Sequence, residues 1–441
     1  MRRLRAPVLA LWLALCAGPA LAAAPRPHIV IFLADDLGWK DVGFHGSEIA
    51  TPNLDRLAAE GARLETLYAQ PVCSPTRAAL LTGRYPMRYG LQVGVIAPDA
   101  RYGLPLAERT LAQALRDAGY ATSMLGKWHL GSFDPRYGPT RRGFEHHYGN
   151  LLGNLDHWTH RRDGRLDWYR DGVPVDEKGY TTQLLAAEAL RILRAHDPAR
   201  PLFLYVAFDA THAPLQAPPA YVQRYAGIAS PDRRAKAAMT TCMDDAIGAI
   251  VAELARRGMR ENTLILFASD NGGPRGPGGG SDNDPWRGGK GSDYEGGVRV
   301  AALAAWTGHI PAGSRVDAML HVVDWYPTLL RLAGASLDQP LPLDGRDAWP
   351  AIAQAGPAPR DEVLIDVAPT GGALRRGDWK LVARGALPER VPGSARLELY
   401  DLARDPAERE DVSQRERARA RDLLARLDAL AREAAPPLAA P

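Results

Sequence analysis

The chain has 441 residues, 46% of them hydrophobic, and a formal net charge of +3. That is enough apolar material for one large core or two unequal domains. It lacks the basic excess that marks a nucleic-acid binder, and its three cysteines cannot supply a disulfide framework.

The first segment, MRRLRAPVLALWLALCAGPALAAAPRP, leads with arginines, continues with an apolar run from Val8 to Ala17, and places small residues at Ala20 and Ala22. Residues 1–22 therefore read as a signal peptide, with an apolar run too short to span a bilayer well. The expected product is exported, periplasmic or secreted, without a stable membrane anchor. Losing Arg2, Arg3 and Arg5 leaves a mature chain of balanced charge. Cys16 departs with the leader, so Cys73 and Cys242 remain, and a single bridge between them stays open. Cys242 sits in RAKAAMTTCMDDAIGAIVAELARRG, which reads as a helix with an apolar face.

Short apolar runs then alternate with helical patterns. HIVIFLA at 28–34 suits a strand covered on both faces. TPNLDRLAAEG follows as a helix, with Thr51 as N-cap, Pro52 at the first position and Gly61 as the stop. TRAALLTGRY reads as a helix starting just after Pro75, and ERTLAQALRDAG leads into YATSMLGKWHL. A helix from about Thr182 to Ala195 precedes PLFLYVAF, and the helix around Cys242 precedes NTLILFASDNGG. This alternation predicts an α/β fold with a doubly wound, mostly parallel sheet. NGGPRGPGGGSDNDPWRGGKG reads as a mobile loop. Beyond GASLDQPLPLDG come EVLIDV, DWKLVAR and RLELYDL, then a polar helix from roughly Gln414 to Ala434. The expected division is a catalytic domain over 23–340 and an α+β subdomain over 341–441, with a small antiparallel sheet and one helix.

What ends each apolar run carries the chemistry. The strand at 28–34 ends in Asp35-Asp36, LILFAS ends in Asp270-Asn271, YVAF runs on to His212, and TSMLG runs on to Lys127 and His129. In an open parallel sheet, ligands bind beyond the carboxyl ends of the strands. Asp35, Asp36, Asp270 and Asn271 are hard oxygen donors, which suit calcium or magnesium rather than zinc. Three carboxylates would also repel one another without a cation. Lys127, Lys290 and Arg77 add positive charge, so the crevice should take a small tetrahedral oxyanion. Cys73 stands at a helix N-terminus, where amides favour an anion. A thiolate matches calcium poorly in softness, which leaves the thiol unexplained by these residues.

Cys73-Ser74-Pro75-Thr76-Arg77, followed by Leu81-Thr82-Gly83-Arg84, resembles the sulfatase signature C-x-P-x-R with its downstream L-T-G-R. LADDLGWKDVGFHGS, GKWHLG, PTRRGFEHHYG, DNGG and LPLDG resemble further sulfatase blocks, in order over roughly residues 28–350. The likeness extends to the arylsulfatase B, or N-acetylgalactosamine-4-sulfatase, type in RRGFEHHYGNLLG and WRGGKGSDYEGGVR, although that type's disulfide cysteines are absent.

The resemblance implies an alkaline-phosphatase-like fold and oxidation of Cys73 to Cα-formylglycine by a formylglycine-generating enzyme. The hydrated aldehyde would be an oxygen nucleophile that attacks sulfur, and its second hydroxyl would then expel sulfate. Carried over residue by residue, calcium (or magnesium) falls to Asp35, Asp36, residue 73, Asp270 and Asn271. Arg77 would hold the formylglycine hydroxyl, Lys127 the sulfate oxygens, and His129 would be the base for sulfate expulsion. His212 and Lys290 would stabilise or protonate the leaving oxygen. The implied substrate is a sulfated glycan or aryl sulfate. His146, His147, Asp156, His157, Trp158 and His160 are candidates for a sugar pocket. Two other readings stand beside this one: a phosphonate monoester or phosphodiester hydrolase of the same superfamily, and a non-catalytic binder of sulfated glycans if Cys73 stays unmodified.

Overall fold

A computed structural model describes residues 26–389, 391 and 393–439. The leader read at 1–22 and Cys16 lie outside these residues. No helix among the described residues is long and apolar enough to cross a membrane.

The run HIVIFLA forms the strand His28–Ala34, buried along its whole length. Its side chains alternate as strand geometry requires. Ile29, Ile31 and Leu33 enter one apolar cluster, and Val30, Phe32 and Ala34 enter another on the opposite face. The strand is flanked in parallel by Thr263–Ser269 and Leu202–Ala207, and Ala121–Gly126 and His146–Gly149 extend the parallel set. Antiparallel and edge strands complete a ten-stranded mixed sheet. All the parallel strands deliver their carboxyl ends to one rim.

The C-terminal part is a four-stranded antiparallel meander of Glu362–Ala368, Gly371–Arg376, Trp379–Arg384 and Arg396–Asp401. The helix Arg417–Arg432 packs against it. Leu423, Leu427 and Leu430 of this helix join the same apolar cluster as Ile29 and Leu81, so the small sheet is fused to the large body through a shared core.

Several local expectations are corrected. Thr51 precedes the helix Pro52–Glu60, but its hydroxyl makes no capping bond. It donates instead to Asp55 and accepts from the Gly43 amide at 2.7 Å. Gly61 does stop the helix Pro52–Glu60, as expected, but not in a left-handed conformation; a β-carbon there would lie 2.2 Å from the Ala304 carbonyl oxygen, so close strand approach demands glycine. The segment read as a mobile loop is pinned. Fully buried Asn283 accepts from the Gly273 amide at 2.9 Å and donates back to its carbonyl at 2.8 Å. Cys73 and Cys242 are both free and buried, so no bridge joins them.

A buried ionic network ties the two sheets. Lys380, from the small sheet, reaches Glu295 at 2.9 Å and Glu408 at 2.8 Å, with all three side chains inaccessible. Tyr68, from the large body, donates to Glu295, and Arg375 donates to the Tyr68 hydroxyl. Removing one partner of a buried pair strands the other charges. Lys380→Met is expected to lower unfolding stability by about 3–5 kcal/mol, read as a lower denaturation midpoint. An unchanged midpoint would show that the network contributes nothing net.

Candidate active site

The helix Cys73–Thr82 starts at Cys73 itself, three residues before the expected start at Thr76, after extended Val72. Pro75 is accommodated because the first helical amides have no intrahelical acceptor. The helix is buried from end to end and lies under the strand rim. Cys73 Sγ is 3.6 Å from Asp35 Oδ1. Arg77, one turn on, donates through Nε and Nη2 to Asp270 at 3.1 and 2.8 Å, and through Nη1 to the Lys127 carbonyl at 2.8 Å.

Each strand-end carboxylate meets a basic side chain. Lys127 Nζ lies 2.6 Å from Asp35 Oδ2, and Lys290 Nζ lies 2.8 Å from Asp36. His212 Nε2 is 3.5 Å from Asp36 Oδ2. The repulsion expected to demand a metal is thus already offset by Arg77, Lys127 and Lys290. Burial pushes the Asp36 carboxyl up, yet His212, Lys290, Lys236 and Lys127 together hold it well below the usual carboxylate range. Asp270 moves the other way, raised by burial and by Asp35 despite Arg77. Burial and the Asp270 charge push the Cys73 thiol above its ordinary range, so an unmodified cysteine would stay protonated and poorly nucleophilic.

The backbone is strained where the chemistry gathers. Asp36 and His129, both non-glycine, have φ values of 63° and 56°. Such outliers persist only when the surroundings over-determine them. Lys236 is part of that constraint and was not singled out from sequence. Its fully buried ammonium donates to the Asp36 carbonyl at 2.7 Å and the Thr211 carbonyl at 2.9 Å, locking two strand ends together. Burial lowers its pKa to about 8. The sequence did carry a signal: Lys236 shares a helical phase with Met239 and Met243, both wholly buried.

The donor set fits a hard cation. Ligand atoms of Asp35, Asp36, Cys73 and His212 lie within 4.8 Å of one another. Asn271 donates through Nδ2 to Asp36 at 2.8 Å, while its Oδ1 is buried with no partner. A buried amide oxygen without a partner, beside the Asp36 carboxylate, is an acceptor that an oxygen-liganded cation would satisfy.

His129 stands slightly apart. Its Nε2 is 3.1 Å from the Ile96 carbonyl, which assigns the proton to Nε2, and its buried Nδ1 has no partner. Burial first, then Lys127 and Arg77, hold its pKa well below the ordinary histidine value. Of the suggested sugar-pocket residues, His157 reaches the His212 carbonyl at 3.1 Å, and Asp156 accepts from Gln216 beside it. Trp158 is 40% exposed. His146 bonds Glu188, and buried His147 and His160 bond the carbonyls of Gly126 and Gly179, so these three serve local structure.

The sulfatase family profile matches residues 27–335, and the chain belongs to the sulfatase family. It is 42% identical to arylsulfatase J of Mus musculus over 81% of this chain, spanning 61% of that protein's length. It is 37% identical to N-acetylgalactosamine-6-sulfatase of Mus musculus, covering 76% of this chain and 68% of that protein. The crystal structure of Ps i-CgsB in complex with k-i-k-neocarrahexaose superposes with a TM-score of 0.85 at 32% identity, covering 93% of this chain and 94% of that one.

One glycine tests how tightly His129 is held. A β-carbon on Gly153 would lie 2.6 Å from the His129 ring. Gly153→Ala is expected to displace the imidazole and break its bond to Ile96, seen as shifted His129 ring resonances with near-native far-UV dichroism. Unmoved resonances would mean that the loop, not the histidine, yields.

Proposed function

We propose that this chain hydrolyses sulfate esters to an alcohol and inorganic sulfate, with residue 73 as the nucleophile after oxidation to formylglycine. The observation that carries the reading is the buried Cys73 side chain at a helix start, 3.6 Å from Asp35 Oδ1 and among hard oxygen donors. The hydrated formylglycine would supply there an oxygen nucleophile that suits these neighbours. Calcium would be held by Asp35, Asp36, Asp270, Asn271 and residue 73, supplying positive charge beside the ester.

The chain's own residues then divide the work. Arg77 sits one turn beyond residue 73 and orients its oxygen. Lys127 meets the sulfate oxygens; burial opposes its charge, but the Asp35 carboxylate offsets this and its pKa is raised overall, so it stays an ammonium. Lys290 is held protonated in the same way, by Asp36 against burial, and stands ready to meet the leaving oxygen. His212 keeps its proton on Nδ1, 2.6 Å from the Ala213 carbonyl, with Nε2 facing the centre. Burial lowers His212 to about 4 despite Asp36, so it acts as a protonated partner only once an anion enters. His129 offers its free Nδ1 as the base that removes a proton when sulfate departs.

A sulfated sugar is the proposed substrate class, supported by the neocarrahexaose complex of Ps i-CgsB and by the N-acetylgalactosamine-6-sulfatase relative. The 4-sulfatase subtype rests on the blocks RRGFEHHYGNLLG and WRGGKGSDYEGGVR alone. Export through the leader and maturation by a formylglycine-generating enzyme belong to the same reading.

Peptide mass analysis of the Cys73 region is expected to find formylglycine, with turnover lost after chelation and restored by calcium. An intact thiol in fully active protein, or full activity at verified zero metal, refutes the reading. Faster turnover of matched phosphate or phosphonate esters would assign the centre to phosphoryl chemistry instead.

The two histidines should separate kinetically. His212→Ala is expected to slow sugar sulfates by about 10²–10⁴-fold, and to slow nitrophenyl sulfate far less, because that leaving group needs no proton. His129→Ala should release one equivalent of alcohol and then stall with sulfate retained. Equal losses on both leaving groups, with no burst, would reverse the assignment.

A further inference from the structure

In the proposed reaction His129 takes a proton at Nδ1, which is free for that work only while the ring proton sits on Nε2. In a neutral imidazole, the hydrogen bond made by one nitrogen decides which nitrogen keeps the lone pair. Here that bond is the 3.1 Å contact from Nε2 to the Ile96 carbonyl. Ile96 lies between Arg88 and Leu111, in a stretch with no helix or strand, so no regular ladder fixes its peptide.

One side chain supplies the constraint. Ser74, 1% exposed and next to residue 73, accepts from the Ile96 amide at 3.1 Å. The same hydroxyl donates to the His129 carbonyl at 3.0 Å. The contacts close into a ring: hydroxyl to His129 backbone, imidazole to Ile96 carbonyl, Ile96 amide back to hydroxyl. The His129 backbone held in this way is left-handed, with φ 56°, a conformation that needs support from its surroundings. Ser74 stands on the helix Cys73–Thr82, so the ring ties His129 to the element that carries residue 73.

A hydroxyl serves both contacts because it is one donor and two acceptors. Without it, the Ile96 peptide is free to turn its carbonyl away from the imidazole. The ring proton is then free to move to Nδ1, where the lone pair is needed.

We propose that Ser74 is a positioning residue that fixes His129 as the Nε2-H tautomer and so keeps Nδ1 available as the base for sulfate expulsion. This rests on the sulfate-ester reading above. In that step Nδ1 takes the proton of the remaining hydroxyl on residue 73. The C–O bond to sulfate breaks, its electron pair leaves with sulfate, and the aldehyde C=O forms again. Release of the alcohol comes earlier and does not use Nδ1.

The test uses the full chain, with turnover normalised to the formylglycine content of each sample because Ser74 lies inside C-x-P-x-R. Imidazole nitrogen NMR of the unsubstituted chain is expected to show His129 as the Nε2-H tautomer. Ser74→Ala should convert it to a mixture, and Ser74→Thr, which keeps the hydroxyl, should restore it. Ser74→Cys, close in size with a weaker donor and acceptor, carries the same test if the alanine variant does not fold. An Nδ1-H tautomer in the unsubstituted chain, or one unmoved by loss of the hydroxyl, overturns the proposal.

In turnover, Ser74→Ala is expected to lower kcat about 10- to 100-fold on nitrophenyl and sugar sulfates alike, short of the ~10²–10⁴-fold of an absent base. Because kcat/KM reports the steps through alcohol release, it should change less than about twofold. A burst of one equivalent of alcohol should leave sulfate on residue 73. Equal losses in kcat and kcat/KM, or no burst, overturn the role. Adding Ser74→Ala to His129→Ala should cost nothing more; a further loss above about threefold would show that Ser74 acts elsewhere. A Ser74-dependent tautomer in a chain that turns over no sulfate ester would instead refute the sulfate-ester reading and leave the hold of Ser74 on His129 standing.

Discussion

The structure depends on a set of buried opposite charges held at the carboxyl ends of the parallel strands. Asp35 with Lys127, Asp270 with Arg77 and Asp36 with Lys290 are buried or nearly so. Isolated, any of these ions would carry a large desolvation cost; paired and hydrogen-bonded, they tolerate the interior. Such pairs are weak evidence for stability, and their concentration on one rim argues for function. The fold supplies the compensation: strands bring the acids, and a helix, a long loop and strand ends bring the bases.

The same arrangement explains why the cysteine is a poor reagent as encoded. Burial and its negative neighbours push the thiol's pKa up, while the surrounding donors are hard oxygens. A site tuned for an anion and a hard cation disfavours a thiolate. The mismatch disappears if residue 73 presents oxygen, so the environment and the proposed modification account for each other.

Lys290 reaches the centre from a loop whose far end is fixed elsewhere. Asn283 pins that loop to Gly273, and Glu295, five residues beyond Lys290, is held by Lys380 of the C-terminal sheet. The small sheet therefore helps to position a residue of the centre. A glycine-rich segment that looks flexible by composition is constrained because its few polar side chains are buried and bonded.

Much of this was legible in the sequence, because the relevant signals are local. Unbroken apolar runs identify strands buried on both faces, and the parallel alternation places their carboxyl ends together. Asp35, Asp36, Lys127, His129, His212, Asp270 and Asn271 follow directly from reading what ends each run. The motif around Cys73 is contiguous, so it too needs no tertiary information. What only the folded structure decided depends on distance across the chain. Lys236 lies on a helix about 200 residues from Asp36, and its partners are backbone carbonyls that composition cannot reveal. The compensation of each carboxylate by a particular base and the roles of the two nitrogens of His129 both arise from packing. Sequence pattern records which residue types stand at the strand ends; which of them touch is set by how two sheets share one core.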